Sequence, residues 1–120
     1  MKPAFSAGWN IAMKIPAHEY ASTVDFYRNV LGLKEIGKPE ETPRFEFGDK
    51  VLWLDCVSGI SQAEIWLEIL TDDIDLASAY FKDRNCVRRD EIEPLPEGMK
   101  AFWLSSPSNI IHLVKASDGE

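Results

Sequence analysis

The sequence is poor in the residues that build covalent or metal-linked sites. Its 120 residues include two cysteines and two histidines, and Cys56 and Cys86 lack the close spacing of a zinc-binding pair. Each cysteine has apolar neighbours, which predicts buried, reduced thiols in a cytoplasmic protein and not a disulfide. Neither has a histidine nearby in the sequence, and the serines around residue 106 fall in a predicted turn, so nothing indicates nucleophilic catalysis.

Long apolar segments and basic runs are also missing. No stretch approaches the roughly 20 apolar residues that cross a bilayer, and residues 1–5 lack the apolar core of a signal peptide. The net charge of −7 and the pI near 4.8 would repel a phosphate backbone, which predicts no nucleic-acid partner. With 45% apolar and 28% charged residues, the chain fits one compact domain over residues 1–120 that sits in the cytoplasm, not in a membrane.

The sequence does contain a repeated plan. Residues 15–33 and 69–87 each run from a strand end through an acidic residue, Glu19 or Asp73, to an aromatic pair, with every feature offset by 54 residues. The acids are predicted to cap helices, and the aromatic pairs are predicted to pack between helix and sheet. Because a strand–helix unit cannot bury its apolar face alone, two such units are expected to share one core and one cleft.

Hydrophobic periodicity and turn residues predict eight strands and two helices. The first helix is predicted to place Val24, Tyr27, Val30 and Leu31 on one apolar face and to stop at Gly32 in a left-handed conformation. The predicted strands are Asn10–Ile15, Leu33–Ile36, Arg44–Phe47, Lys50–Val57, Glu64–Leu70, Val87–Ile92, Met99–Ser105 and Ile110–Lys115, and the helices are Glu19–Leu31 and about 72–84.

Two segments carry a resemblance to a known family. Residues 25–33 read DFYRNVLGL, and residues 106–113 read SPSNIIHL, a worn form of the ending DPxGNxxEL. With the order of elements, they resemble the vicinal oxygen chelate superfamily, which includes glyoxalase I, bleomycin-resistance proteins and extradiol dioxygenases. The likeness covers about residues 8–116.

The resemblance implies an α+β fold of two tandem βαβββ modules, at about 8–57 and 64–116, that form a curled mixed sheet around one cleft. It also implies a homodimer. Members of the superfamily either use a divalent metal in the cleft or bind a drug or other small molecule there.

Alternation along the strands predicts which side chains face the cleft. On the last strand, Ile111 and Leu113 are predicted to pack away from the cleft, which turns His112 and Val114 into it. The offset of 54 residues independently sets Glu64 opposite Asn10. The predicted cleft residues are Asn10, Trp53, Asp55, Glu64, Trp66, Glu68 and His112.

The resemblance puts Asn10, Asp55, Glu64 and His112 where metal-using relatives carry four ligands, typically His, Gln and Glu. In this sequence the first of these positions holds an amide, Asn10, and the only imidazole predicted to face the cleft, His112, is at the last. Asp55, Glu64 and His112, with Asn10 as a further donor, suit one divalent ion such as Mg, Mn, Fe or Zn. The spacing does not place four ligands around one point, so no metal is favoured. His112 is equally well explained by a hydrogen bond to either acid, and Asn10 by bonds to backbone.

Three functions are compatible with this pattern. Trp53 and Trp66 beside acids suit a cationic or aromatic guest, although the rings would also simply fill the mouth of the cleft. The favoured function is a metal-independent small-molecule binder of the glyoxalase/bleomycin-resistance type, because histidine is missing from the first and third ligand positions. The alternatives are a divalent-metal-dependent lyase, isomerase or dioxygenase that uses Asp55, Glu64 and His112, and a regulatory dimer with a vestigial cleft. Whether the protein is an enzyme stays open.

Overall fold

The computed structural model describes residues 2–117. The predicted single domain of residues 1–120 also includes residues 1 and 118–120, which lie outside the described residues. The elements are β1 (Phe5–Pro16), α1 (Ala17–Asp25), a π-helical turn (Phe26–Val30), β2 (Glu35–Ile36), β3 (Arg44–Phe47), β4 (Lys50–Val57), β5 (Glu64–Thr71), α2 (Ile74–Asp83), β6 (Val87–Arg88), β7 (Ala101–Ser105) and β8 (Ile111–Ala116). Neither helix in the described part of the chain has the length and apolar content needed to cross a membrane.

The order of elements confirms the α+β fold of two βαβββ modules. The eight strands form one mixed sheet in the order β2-β3-β4-β1-β5-β8-β7-β6. The pairs β1–β4 and β5–β8 are parallel, whereas β3–β4 and β7–β8 are antiparallel. Contacts along the chain divide it into two compact units, which we call the first unit (residues 9–66) and the second unit (described residues 2–8 and 67–117).

The core of the first unit lies between α1 and one face of β1, β3 and β4. β1 and β4 run side by side with Met13 opposite Leu54, so alternate residues of both strands point toward α1, as their alternation predicted. Cys56 continues this series at the end of β4, but its side chain is exposed, and the prediction of a buried thiol there is wrong. The buried members of this core are Ile15, Val24, Phe45, Leu52 and Leu54.

The end of the first helix differs from the prediction. After Asp25 the chain widens into a π-helical turn, in which the amide of Leu31 donates to the carbonyl of Phe26 five residues earlier, at 2.8 Å. The wider turn changes the rotation per residue, so positions beyond it leave the apolar face set by Val24. Val30 and Leu31, at the end of the turn, are therefore exposed, at 66% and 50%. Phe26, which opens the turn, is 45% exposed, so all three lack the core contacts that were predicted.

The two predicted caps have different outcomes. Asp73 caps α2 as predicted, since its carboxylate accepts from the backbone amide of Leu76 at 2.9 Å. Glu19 does not cap α1, because that helix already begins after Pro16 and Glu19 lies within its first turn. A carboxylate in the first turn still interacts favourably with the helix dipole.

Tyr20 anchors α1 to β4. Its hydroxyl donates to the carbonyl of Leu54 at 2.8 Å. Burial of the phenol and the nearby negative charge of Asp55 raise the pKa of Tyr20 above its ordinary value, because both disfavour the tyrosinate.

The Tyr20→Phe substitution should remove the tyrosine ionisation of raised pKa and lower the free energy of unfolding by about 1 kcal/mol, the usual net value of one hydrogen bond. Because folding raises this pKa, the stabilisation is present below about pH 10, the unfolded value, and is lost as the pH rises through the folded-state pKa. Absorbance titration of tyrosinate and urea unfolding at several pH values measure both effects. A Tyr80→Phe control should keep the late ionisation, and its loss there would contradict the assignment to Tyr20.

The core of the second unit lies between α2 and one face of β7 and β8. Phe102 faces Val114 and Leu104 faces His112 across this antiparallel pair. Phe5 of the early β1 segment and Phe81 of α2 pack against the core with ring centroids 5.1 Å apart. Its buried members are Ala77, Phe102, Leu104 and Val114.

Candidate functional site

One face of the first unit gathers most of the predicted site residues. The parallel register of β1 and β4 sets Ala12 opposite Trp53 and Lys14 opposite Asp55, on the side of the strands away from α1. Partners in register project to the same side of a sheet, and so do residues two apart on one strand. We call this surface the polar face, and its residues are Asn10, Lys14, Arg44, Trp53, Asp55, Glu64 and Trp66.

Asn10 and Trp53 form the first contact on the polar face. The indole Nε1 of Trp53 donates to Oδ1 of Asn10 at 2.7 Å. On the other neighbour of β4, Arg44 is in register with Trp53, and its guanidinium carbon lies 4.8 Å from the centre of the indole ring. The Arg44 side chain is only 21% exposed and also reaches Glu41, at 3.4 Å. The ring of Trp53 is therefore held by an amide acceptor and carries a cation over its face.

Lys14 links the remaining members of the polar face. Its Nζ lies 2.8 Å from Oδ2 of Asp55, with side-chain exposures of 6% and 27%. The same Nζ lies 4.3 Å from the centre of the Trp66 ring. Trp66 in turn donates from Nε1 to Oε1 of Glu64 at 3.1 Å. A buried ammonium thus bridges the acid of β4 and the aromatic ring of β5.

The sequence analysis left Lys14 and Arg44 out of the site. Alternation did turn Lys14 to the same side as Asn10, which was the available signal. What was missing was the register of β1 against β4, because only the register shows that Lys14 and Asp55 are direct neighbours. The pairing of Arg44 with Trp53 depends in the same way on the β3–β4 register.

Glu68 and His112 lie in the second unit. Glu68 is in register with Leu113 of β8, and its methylene groups occupy the space that a Cβ atom on Gly8 would need. Glycine at position 8 therefore lets the Glu68 side chain lie against the β1 backbone. The role predicted for Glu68 in ligand binding stays a prediction.

The predicted orientation of β8 is wrong. Val114 is fully buried in the core against α2, so it does not line a cleft on the opposite face. His112 lies two residues earlier on the same strand and faces Leu104, another member of that core, so it belongs to the α2 side of β8. Its Nδ1 lies 3.0 Å from the carbonyl oxygen of Ile110.

The internal repeat supports this orientation of His112. Met13 and Leu67 are equivalent under the 54-residue offset, and they pair with Leu54 and His112 respectively. His112 is therefore the counterpart of Leu54, a fully buried residue on the α1 side of the first unit.

The donor set of the polar face does not fit a divalent metal. Oδ2 of Asp55 already pairs with the Lys14 ammonium, and Oε1 of Glu64 accepts from Trp66. A cation bound at Asp55 would also face the positive charge of Lys14 at close range. Within residues 2–117, no three His, Cys, Asp or Glu side chains are placed to share one ion.

Three open cavities lie outside the polar face. One of about 360 Å³ lies beside α2 and β7 and is lined by Ser78 and Arg88, and one of about 320 Å³ lies on α2 next to Tyr80. The third, about 410 Å³, lies in the first unit between Arg28 and Gly37. None of the predicted site residues lines these three cavities.

Comparison with solved structures shows that the fold is shared with a glyoxalase and with homoprotocatechuate 2,3-dioxygenases, as the sequence resemblance implied. The chain is similar to a Mn(II)-bound glyoxalase from Novosphingobium aromaticivorans, at 17% identity and a TM-score of 0.68 over 96% of this chain and 40% of that one. It is also similar to homoprotocatechuate 2,3-dioxygenase from Brevibacterium fuscum, at 21% identity and a TM-score of 0.63 over 95% of this chain and 37% of the dioxygenase. A hypothetical protein from Bacillus halodurans matches at 14% identity and a TM-score of 0.64, over 98% of this chain and 97% of its own.

These similarities define the fold and leave the activity to be argued from the site. The chain spans about two fifths of the glyoxalase and of the dioxygenase that it matches. No family model matches the sequence, and no curated protein matches it either.

Proposed function

We propose that the protein binds a small organic molecule on the polar face without a metal ion, as a binder of the glyoxalase/bleomycin-resistance type. The observation that carries this proposal is the placement of two indole rings, Trp53 and Trp66, on one face together with the acceptors Asn10 and Glu64. Flat rings with oriented polar groups beside them are the usual elements of a small-molecule site.

The centre of the polar face has a small residue. Ala12 lies between Asn10 and Lys14 on β1 and opposite Trp53 on β4. In the proposed site, the small Ala12 side chain would leave room for a guest beside the Trp53 ring. An aromatic guest would stack against that ring and direct its polar atoms toward Asn10.

Removal of the Trp53 ring tests the proposal. With anilinonaphthalene sulfonate as a planar aromatic probe, the native protein should show saturable one-to-one binding in a fluorescence titration. Trp53→Ala should weaken the binding about tenfold, because an aromatic contact contributes roughly 1 kcal/mol or more. Trp9→Ala is the matched control, since Trp9 also lies on a strand but is 52% exposed and outside the polar face. Equal effects of the two substitutions, or no saturable binding, would contradict the proposal.

A metal-dependent lyase, isomerase or dioxygenase is the second candidate. It is favoured by the similarity to a Mn(II)-bound glyoxalase and to dioxygenases, and it would use Asp55, Glu64 and His112, with Asn10 as a further donor. The orientation of His112 and the pairing of Asp55 with Lys14 oppose it. Elemental analysis of protein purified without chelator discriminates the two candidates, because a stoichiometric ion that is lost in Asp55→Ala would support the enzyme.

We also propose a homodimer in the cytoplasm. Exposed apolar side chains on and beside the π-helical turn, including Val30 and Leu31, offer surface that self-association would bury. Cys56 and Cys86 are both free thiols, which agrees with a reducing compartment.

A further inference from the structure

The Lys14 ammonium lies at the place on the polar face where a bound cation would be expected. A bound cation would be drawn to two features there, the Asp55 carboxylate and the π face of Trp66. The Lys14 ammonium already contacts both, at 2.8 Å from Oδ2 and 4.3 Å from the ring centre. At 6% side-chain exposure, this ammonium is poorly screened by water.

Arg44 occupies the second cation position of the polar face. Its guanidinium lies over the ring of Trp53 at 4.8 Å and is held from the other side by Glu41. Glycine at position 37 leaves room for the Arg44 guanidinium, because a Cβ atom on residue 37 would approach the guanidinium to 2.8 Å. Both indole rings of the polar face therefore carry a cation that belongs to the protein.

We infer that Lys14 is the residue that determines charge selectivity at the polar face. This inference rests on the proposed function and names the ligand class of the same site. With the Asp55 carboxylate paired and a protein cation over one face of each indole ring, the site rejects divalent metals and organic cations and accepts neutral or anionic aromatic molecules. Lys14 thus supplies a fixed positive charge at the polar face that no chelator removes.

Titration with two cationic probes tests the inference. Mn²⁺ and phenyltrimethylammonium are titrated by calorimetry into the native protein, Lys14→Met, Lys14→Arg and Lys34→Met. Methionine keeps the length of the lysine stem without its charge, arginine keeps the charge, and Lys34→Met is the same substitution at a 75% exposed lysine. The double variant Lys14→Met/Asp55→Asn shows whether any new affinity depends on the carboxylate.

Removal of the Lys14 charge should create a cation site. Lys14→Met should bind Mn²⁺ at least about tenfold more tightly than the native protein, because a close positive charge is lost while Asp55 remains. It should also bind phenyltrimethylammonium more tightly. Lys14→Arg and Lys34→Met should behave like the native protein, and the double variant should lose the gain in Mn²⁺ affinity.

Two outcomes would overturn the inference. One is native protein that binds Mn²⁺ or the ammonium probe as tightly as Lys14→Met does, and the other is a gain in Lys34→Met as large as in Lys14→Met. If Lys14→Met does not fold, Lys14→Gln replaces it, and stoichiometric Mn²⁺ binding by the native protein alone still overturns the inference. Failure of the proposed function would appear separately, as absent binding of anilinonaphthalene sulfonate.

Discussion

Replacement of Phe45 by alanine is expected to lower the free energy of unfolding by about 4 kcal/mol, the typical cost of removing a fully buried phenylalanine ring. Phe45 is 0% exposed and lies in the core beneath α1, with Tyr27 at 6.3 Å between ring centres. Its removal would leave a cavity in the face that holds β3 and β4 together. Equilibrium unfolding in urea measures the change.

Phe47 is the matched control for this experiment. It is the same residue type, two positions later on the same strand, but it is 47% exposed. Phe47→Ala should therefore cost much less, about 1 kcal/mol or below. Similar losses for the two variants would contradict the core assignment of the first unit.

Loss of the Asp55 carboxylate is expected to lower the free energy of unfolding by about 2–3 kcal/mol. Asp55→Ala would remove the carboxylate that lies 2.8 Å from the buried Lys14 ammonium, and removing one partner of a buried ion pair is strongly destabilising. The expected cost is below that of a fully buried pair because Asp55 is 27% exposed.

A double substitution separates the pair interaction from the charge left behind. Lys14→Met/Asp55→Leu replaces both partners by apolar side chains, which is often nearly neutral for a buried pair. The double variant should therefore lie within about 1 kcal/mol of the native protein. Losses that simply add over the two sites would show that the ion pair does not couple them.

The same pair connects stability with function. Burial of a lysine costs free energy unless the ammonium has a partner. Two apolar residues at positions 14 and 55 would give about the same stability, so stability alone does not explain the ion pair. Charge selectivity at the polar face is a role that apolar residues would not perform. The stability cycle and the Mn²⁺ titration therefore test two aspects of one arrangement.

Local features of the fold were predictable because they depend on neighbouring residues. β3 and β4 begin and end where predicted, because polar turn residues flank each short apolar run. Gly32 adopts the left-handed conformation expected of a helix stop, with φ of 67°. Asp73 caps α2 because a side-chain acceptor at that position serves the first free amide groups in any context.

The elements that were predicted incorrectly depend on three-dimensional contacts, which the spacing of residues in the sequence does not show. β1 begins at Phe5, five residues before the predicted start, because residues 5–8 are ordered by the second unit, to which they belong. The π-helical turn exposes Val30 and Leu31 because one wider turn is enough to alter the positions that follow its start.

The site residues also include some whose orientation was predicted correctly and one whose orientation was not. Alternation assigned the correct side of the sheet to Asn10, Trp53 and Asp55, since the period of a strand is a property of the chain. It assigned the wrong side to His112, because an error of one residue in register inverts a whole strand. The true orientation follows from the burial of Val114 against α2.

The sequence by itself determined the doubled βαβββ plan, the helix-facing side of β1 and β4, and the gathering of aromatic and polar side chains on the opposite side. These follow from composition and periodicity, which act over a few residues. Only the tertiary structure decided that Lys14 pairs with Asp55 and covers Trp66, and that His112 belongs to the other face of its strand. Such contacts join residues about 40 or more positions apart, and the register between strands that creates them is set by packing across the whole sheet.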